Sequence, residues 1–162
     1  MQKSLFALLF ILAPFVAKAE LKLKFTMAEA MSVVFPKGEV LRLPLASVYG
    51  LALVVPLDSF AWVGEVAVAS PSTQFTPAYR LITGPIVPIS QKWSFGATAM
   101  FQHRPEYEGG LPSSNLLGLG IGPGVKIADG VSLLLIVGGS KVLEESGPFG
   151  AAIQPKLAFD LP

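Results

Sequence analysis

The chain has 162 residues, of which 12 are Lys or Arg, 11 are Asp or Glu and none is Cys. Its near-neutral charge gives no basis for nucleic-acid binding, and the lack of cysteine excludes disulfides, thiolate metal sites and a cysteine nucleophile. Hydrophobic residues make up 52% and the mean hydropathy is +0.60, which is extreme for a water-soluble domain. We therefore expect much of the apolar surface to face a membrane.

The N-terminus has the pattern of an export signal. Lys3 supplies a positive charge, residues 5–16 form an apolar run, and Ala-Lys-Ala at 17–19 is a small-x-small cleavage pattern. A retained anchor is the alternative, but the apolar run is shorter than the ~20 residues that a spanning helix needs. We expect cleavage to remove a signal peptide, 1–19, and to leave a single domain, 20–162.

Beyond the signal, bulky apolar residues recur at every second position, which is the period of a β-strand. The clearest case runs from Leu116 to Ile127, where they alternate with four glycines. In a helix those glycines would each cost ~1 kcal/mol relative to Ala, whereas in a strand they line one face. The alternation predicts eight strands, at 21–35, 39–55, 59–69, 74–88, 92–103, 115–127, 131–142 and 149–161.

The connections alternate in length. Those at 56–58, 89–91 and 128–130 are tight, whereas 103–114 is polar and rich in Gly and Pro. The first hairpin, 36–38, departs from this alternation because it is also short. Helical spans are disfavoured because the most apolar segments are short or broken by Pro, Gly and Arg. The predicted fold class is all-β, an eight-stranded antiparallel up-and-down transmembrane β-barrel.

With turn-plus-strand units such as Pro88–Gly96 and Lys126–Val131, the chain resembles the small bacterial outer-membrane β-barrels. This eight-stranded class includes the OmpA membrane domain, OmpX, OmpW and the lipid A acyl-modifying barrels. The resemblance covers residues 20–162. It implies an outer-membrane location, insertion by the outer-membrane assembly machinery, and contact with the bilayer and lipopolysaccharide. The chain ends in Pro162, whereas the last strand of the family usually ends in an aromatic residue.

Strand parity assigns the two faces of the predicted barrel. Bulky residues such as Leu119 and Leu135 are expected to face lipid, and their alternates to face the lumen. The predicted lumen-lining polar residues are Lys24, Arg42, Glu65, Arg80, Gln102, Lys126, Gln154, Lys156 and Asp160. The predicted aromatic girdles at the two membrane interfaces include Phe60, Trp62, Phe75, Tyr79, Trp93, Phe95, Phe101 and Phe159. A soluble barrel is disfavoured because its outward face would be polar.

Two features conflict with this scheme. Glu29 falls on the lipid-facing parity, which is costly unless a β-bulge shifts the register. Several prolines remove a ladder donor from a barrel that has no free edge, and we expect bulges or strand ends to accommodate them. These prolines are Pro77, Pro85, Pro88, Pro123 and Pro155.

Glu65 and Arg80 are predicted to lie opposite or diagonal to each other on the inner face and to form an ion pair. Such a pair is either a gate in a narrow pore or part of a network that plugs the barrel. The plug is favoured because eight strands enclose little more than their own side chains.

The predicted function is a structural or narrow-channel outer-membrane barrel. The alternative is a surface-recognition or ligand-binding barrel that acts through its outer loops, chiefly 103–114. A lipid-modifying enzyme is less favoured because the single histidine, His103, is followed by Arg104 and Pro105 and lacks the His-x-Ser spacing of lipid A deacylases. We predict no catalytic residues, no metal ligands and no cofactor.

Overall fold

The computed structural model describes residues 21–35, 41–42, 46–71, 78–105, 113–143 and 147–162. Among these residues, no helix has the length and apolar character needed to cross a bilayer. The described strands are β1 (Lys22–Phe35), β2 (Leu41–Arg42), β3 (Ala46–Pro56), β4 (Ala61–Pro71), β5 (Ala78–Pro88), β6 (Trp93–Arg104), β7 (Ser114–Ala128), β8 (Val131–Val142) and β9 (Phe149–Asp160).

The strands form one antiparallel sheet that closes on itself. Each strand from β3 to β8 pairs with the next one along the chain, and β1 pairs with both β3 and β9. The short β2 pairs with the far end of β1, so β2 and β3 together make one wall strand. The described chain is therefore an eight-stranded antiparallel barrel. This confirms the predicted fold class, and the observed strands start and end close to the predicted positions wherever the chain is described.

Closure involves a large stagger between the strands. A circuit that follows directly paired residues leaves β1 at Leu23 and returns to β1 at Val33, ten residues further along. The pairs are Leu23–Leu53, Leu53–Gly64, Gly64–Thr83, Thr83–Ala99, Ala99–Leu119, Leu119–Gly139, Gly139–Ala151 and Ala151–Val33. For eight strands this stagger corresponds to a strand tilt of ~40–45° to the barrel axis.

The three predicted tight turns lie at the end of the barrel that also carries the start of β1 and the end of β9. The Leu57 amide donates to the Phe60 carbonyl at 2.8 Å, and the Ile89 amide donates to the Trp93 carbonyl at 2.8 Å. In the third turn Gly130 has φ +73°, a left-handed conformation that glycine adopts without steric cost. The predicted longer connections, and the short hairpin at 36–38, lie wholly or mostly outside the described residues.

The prolines inside strands do not produce the expected bulges. Beside Pro85, Pro123 and Pro155, paired residues are missing on one side, and the ladder then resumes in the same register. At these prolines the sheet omits residue pairs and keeps its register, because a shift by one residue would turn every later side chain to the other face. Pro88 lies at a strand end, as predicted, and Pro77 lies outside the described residues. The register of the described sheet shifts by one residue at two other places, between Lys126 and Ala128 and between the β1–β2 and β1–β3 pairings.

The alternation of burial matches the predicted parity. Bulky residues point outward and are exposed, as with Leu119 at 69% and Val66 at 57% of their surface. The inward residues are small or partly polar, and the most buried ones are Thr26, Ala28, Ala30, Val48, Ala52, Glu65, Ala67, Ala69, Ala78, Ile82, Lys156 and Ala158. This is the reverse of a soluble domain, since the larger apolar side chains cover the outside.

The expected register shift at Glu29 is absent. β1 pairs with β3 in one continuous register from Lys22 to Ala30, with Glu29 opposite Ser47. Glu29 therefore stays on the outward parity and is exposed.

Candidate functional site

The most buried charges in the described chain meet in the middle of the lumen. Glu65 on β4 and Lys156 on β9 are each 5% exposed. The Lys156 ammonium donates to Glu65 Oε2, and the Thr26 hydroxyl on β1 donates to Glu65 Oε1 at 2.8 Å. Both carboxylate oxygens thus have a donor, which a buried carboxylate requires. We call Thr26, Glu65 and Lys156 the central triad.

Space for the central triad comes from a glycine on the strand between its members. A Cβ atom on Gly50 of β3 would lie 2.8 Å from both Glu65 Oε1 and Thr26 Oγ1. Such contacts are shorter than carbon–oxygen packing allows. A side chain at residue 50 would therefore displace the carboxylate, so Gly50 is part of the site although it carries no polar group.

The predicted ion pair between Glu65 and Arg80 is wrong. The register places Ile82 opposite Glu65 and Ala67 opposite Arg80, so the two residues are diagonal, within the predicted geometry. Arg80 instead donates from Nε to Gln102 Oε1 at 2.6 Å, because Gln102 is its directly paired neighbour on β6. Lys156 reaches Glu65 from across the lumen and takes the place that Arg80 was expected to fill.

A second ion pair lies at the tight-turn end of the lumen. Lys24 and Asp160 are direct partners in the β1–β9 register, and the ammonium donates to Asp160 Oδ1. Their side chains are 20% and 41% exposed. This pair is therefore in contact with solvent, unlike the central triad.

Lys126 lies at the rim of the barrel. Its ammonium donates to Asp129 Oδ1 at 2.5 Å, and its side chain is 51% exposed. The pKa of Asp129 lies below its ordinary value of 3.8, first because of this hydrogen bond and then because of the positive charge of Lys126. Lys126 thus supports the Asp129–Gly130 turn and has no contact with the central triad.

Two cavities lie in the lumen formed by the described residues. One of about 220 Å³ extends from the central triad toward the tight-turn end, and its wall is largely apolar with Ser94, Thr98 and Ser132 among the polar exceptions. A second of about 60 Å³ lies beside Gln154 and Ser140. The cavities share the side chains of Ile82, Thr98 and Ile136. The described lumen is therefore not filled by its side chains. The central triad lines the larger cavity, and Ile82, one of the residues between the two cavities, is the direct partner of Glu65.

Gln154 and Arg42 are the remaining predicted lumen residues. Gln154 lines the smaller cavity, where its buried Nε2 has no hydrogen-bond partner among the described residues. The backbone of Arg42 pairs with Val33, but its side chain lies outside the described set, so its lumen position stays a prediction.

Most of the predicted girdle residues point outward. Trp62, Tyr79, Trp93, Phe95 and Phe101 are exposed, whereas Phe60 and Phe159 are partly covered. Trp62 donates from Nε1 to the Thr83 hydroxyl at 2.8 Å, and the rings of Phe159 and Phe25 have centroids 6.4 Å apart. Phe75 lies outside the described residues.

His103 also faces outward, at the end of the barrel away from the tight turns. Its Nδ1 lies 3.0 Å from Asn115 Oδ1, its direct partner on β7. In the described part of the chain this histidine contacts neither a carboxylate nor a serine hydroxyl. The glutamates of the adjoining loop lie outside that part.

Sequence reasoning missed Thr26 and Gly50 as site residues. Thr26 has the same strand parity as Lys24, so its inward direction was available from the pattern, but nothing local marked it as a ligand of Glu65. Gly50 looked like one of many inward glycines. Only the position of the Glu65 carboxylate gives that glycine a specific role.

Neither protein-family models nor curated protein sequences give a match to this chain. Among solved structures, the barrel is similar to Neisserial surface protein A (NspA), with a TM-score of 0.59 and 10% identity over 86% of this chain and 97% of that one. It is also similar to Ail, the attachment invasion locus protein of Yersinia pestis, with a TM-score of 0.57 and 14% identity over 86% and 98%. At these identities the likeness establishes a shared fold, that of the small outer-membrane barrels.

Proposed function

We propose that the protein spans the bacterial outer membrane as a narrow channel that the Glu65–Lys156 pair holds closed. The exposed apolar belt supports a membrane location, since outward residues such as Leu81, Leu117 and Ile121 expose half or more of their surface. Water would make so large an apolar surface unfavourable, whereas lipid would not. An export signal at residues 1–19 fits the same location.

The central triad is the observation that carries the channel proposal. Replacing a buried ion pair by apolar side chains is often neutral or stabilising, so stability alone gives little reason to keep Glu65 and Lys156 in this lumen. A barrel with a purely structural role would gain more stability from an interior that is closely packed with side chains. Here the pair lines the larger cavity, next to Ile82, which also lines the smaller one, so a movement of the pair would change the passage between the two cavities.

Opening requires the Lys156 ammonium to leave Glu65. The carboxylate would then keep the Thr26 hydroxyl as a donor, and water would take over the other oxygen. The Gly and Ala residues of the wall leave room for such a movement, because a side chain can change rotamer without displacing a bulky neighbour. The polar groups of Thr26, Glu65 and Lys156 would also solvate a permeating small ion. Gating and conduction would therefore depend on the same site.

The test is single-channel conductance in planar bilayers. In Lys156→Met the Glu65 carboxylate loses the cation that it binds in the closed state. We expect the closed state to be destabilised relative to the open state by at least ~1.4 kcal/mol, so that open events become about tenfold more frequent than in the wild type. The charge exchange that combines Glu65→Lys with Lys156→Glu should restore the wild-type frequency. Lys126→Met is the matched control, because it removes the same charge from an exposed pair and should leave the frequency of open events unchanged.

Silent recordings from Lys156→Met, Glu65→Gln and the wild type alike would contradict the channel. The alternative, recognition through the outer loops including 103–114, would then be the better proposal. Insertion by the assembly machinery and contact with lipopolysaccharide are further proposals that rest on the membrane location.

A further inference from the structure

Glu29 is a carboxylate on the outer surface at mid-height. In β1 it lies seven residues after Lys22 and six before Phe35, and it is exposed. The outward aromatic residues Phe25 and Phe35 of the same strand lie on either side of it. A charged group at this depth faces hydrocarbon, where it is strongly disfavoured without a polar partner.

Glu29 belongs to a row of polar side chains that crosses three strands. The register places Ser47 of β3 opposite Glu29, and Ser70 of β4 opposite Ser47. The Ser47 hydroxyl donates to Glu29 Oε1 at 2.8 Å. Within the described residues, Glu29 Oε2 and the Ser70 hydroxyl have no hydrogen-bond partner. We call Glu29, Ser47 and Ser70 the polar row.

We propose that the polar row is the interface with a second copy of this chain in the membrane. Lipid tails offer no donor or acceptor to these groups, so the occupant must be a polar surface. The row itself meets that requirement because it combines a free acceptor, Glu29 Oε2, with a free donor, the Ser70 hydroxyl. It is therefore complementary to itself, as a two-fold interface requires.

The geometry of membrane insertion makes this pairing possible. Barrels inserted by one route share one orientation, so the two-fold axis of a dimer runs along the membrane normal and residues of similar height face each other. Glu29 and Ser47 are direct neighbours on adjacent strands. Ser47 lies between Glu29 and Ser70 in the register, so an axis that passes beside Ser47 brings each Glu29 toward Ser70 of the other copy. The hydrogen bond from the Ser70 hydroxyl to Glu29 Oε2 then occurs twice, since the single Ser47 proton is already donated within its own chain.

The surroundings of the polar row suit a contact between proteins. Met27, Met31 and Tyr49 flank it on the outward face and are 37%, 54% and 48% exposed. Methionine side chains adapt to irregular surfaces, and tyrosine offers a large rigid contact with a polar end. The inference rests on the proposed membrane location but is independent of conduction, because the row lies outside the barrel and the gate inside it.

Disulfide or bis-maleimide crosslinking in liposomes tests the dimer, and the natural chain contains no cysteine that would interfere. At low protein-to-lipid ratio, Met31→Cys should give a crosslinked dimer. Leu119→Cys, on β7 at the far side of the barrel, should give only background. Adding Glu29→Leu to Met31→Cys should reduce the crosslinked fraction about tenfold, since the interface loses hydrogen bonds at both symmetric positions. Glu29→Gln should reduce it less.

Controls separate the dimer from folding and location. Glu29→Leu removes a charge from the membrane-facing surface of the single barrel, so its heat-dependent gel migration and its resistance to unfolding should equal or exceed those of the wild type. Flotation with the liposomes checks the membrane location by itself. The proposal is overturned if both cysteine variants crosslink equally, if Glu29→Leu and Glu29→Gln leave crosslinking unchanged, or if subunit counting finds wild-type monomers. Capture of a different protein by Met31→Cys in native membranes would also overturn it.

Discussion

At the residue scale, several glycines are required by a neighbouring backbone and others are not. A Cβ atom on Gly122 would overlap the carbonyl oxygen of Leu135, and one on Gly84 would overlap the carbonyl oxygen of Ala97. Both glycines precede a proline, at the points where the ladder loses rungs. By contrast, Gly64 has no heavy atom within 4 Å of such a Cβ. Glycine at residues 84 and 122 therefore permits close strand approach beside Pro85 and Pro123.

We expect Gly122→Ala to destabilise the barrel by about 1–3 kcal/mol, because the new methyl group meets backbone that cannot rotate away. Gly64→Ala should stay within about 0.5 kcal/mol of the wild type, since its methyl group enters open space. The measurement is the free energy of unfolding in a denaturant titration of the reconstituted protein. Equal costs for the two variants would show that the approach of β8 to Gly122 is looser than the structure has it.

At the element scale, the hairpin between β7 and β8 combines a turn conformation with a local charge pair. Gly130 supplies the positive φ angle, and the Asp160 amide donates to the Gly130 carbonyl at 2.7 Å. Lys126 bonds Asp129 within the same turn. The turn therefore links three strands, β7, β8 and β9, close to the point where the barrel closes.

The lowered pKa of Asp129 predicts a pH dependence of this hairpin. Because the folded pKa lies below the ordinary value of 3.8, the pair contributes to stability above that value, and the contribution is lost as pH falls through the folded pKa. Between pH 7 and pH 3 the wild type should therefore lose slightly more stability than Asp129→Asn. Lys126→Met should behave like Asp129→Asn, because either change removes the pair. Identical pH profiles for all three proteins would mean that solvent screens the pair completely.

At the scale of the whole molecule, the central triad exists only in the closed barrel. Glu65 and Lys156 are 91 positions apart in sequence, and the contact crosses the lumen from β9 to β4. Thr26 lies on β1, the strand that pairs with β9 to close the sheet. The triad is thus a long-range contact that depends on all the strand registers between its members.

A double-mutant cycle should detect this dependence. Glu65→Gln or Lys156→Met alone should cost about 3–5 kcal/mol, because each leaves a buried polar group without its partner. The double variant should recover part of the loss, with a coupling of about 0.5–3 kcal/mol. The same cycle on the more exposed pair Lys24 and Asp160 should give a coupling of at most about 1 kcal/mol. Additive costs at Glu65 and Lys156 would show that the two side chains do not meet in the membrane-inserted protein.

The sequence by itself determined the strands and their two faces. A period of two is a local property, so the alternation around Leu119 or Val66 predicts both the strand and its outward side without knowledge of its neighbours. The tight turns followed from equally local signals, such as Asp129–Gly130. The inward direction of Glu65, Arg80 and Lys156 followed from parity in the same way.

Only the tertiary structure decided which inward residues meet. The partner of Glu65 depends on closure and on a stagger of ten residues around the barrel, which no local pattern encodes, so the predicted contact with Arg80 was wrong. The way in which the strands accommodate proline also depends on the tertiary structure. Beside Pro155 the closed sheet omits residue pairs and keeps its register, because a shift by one residue would turn every later side chain to the opposite face. That constraint on register also keeps Glu29 on the outer surface.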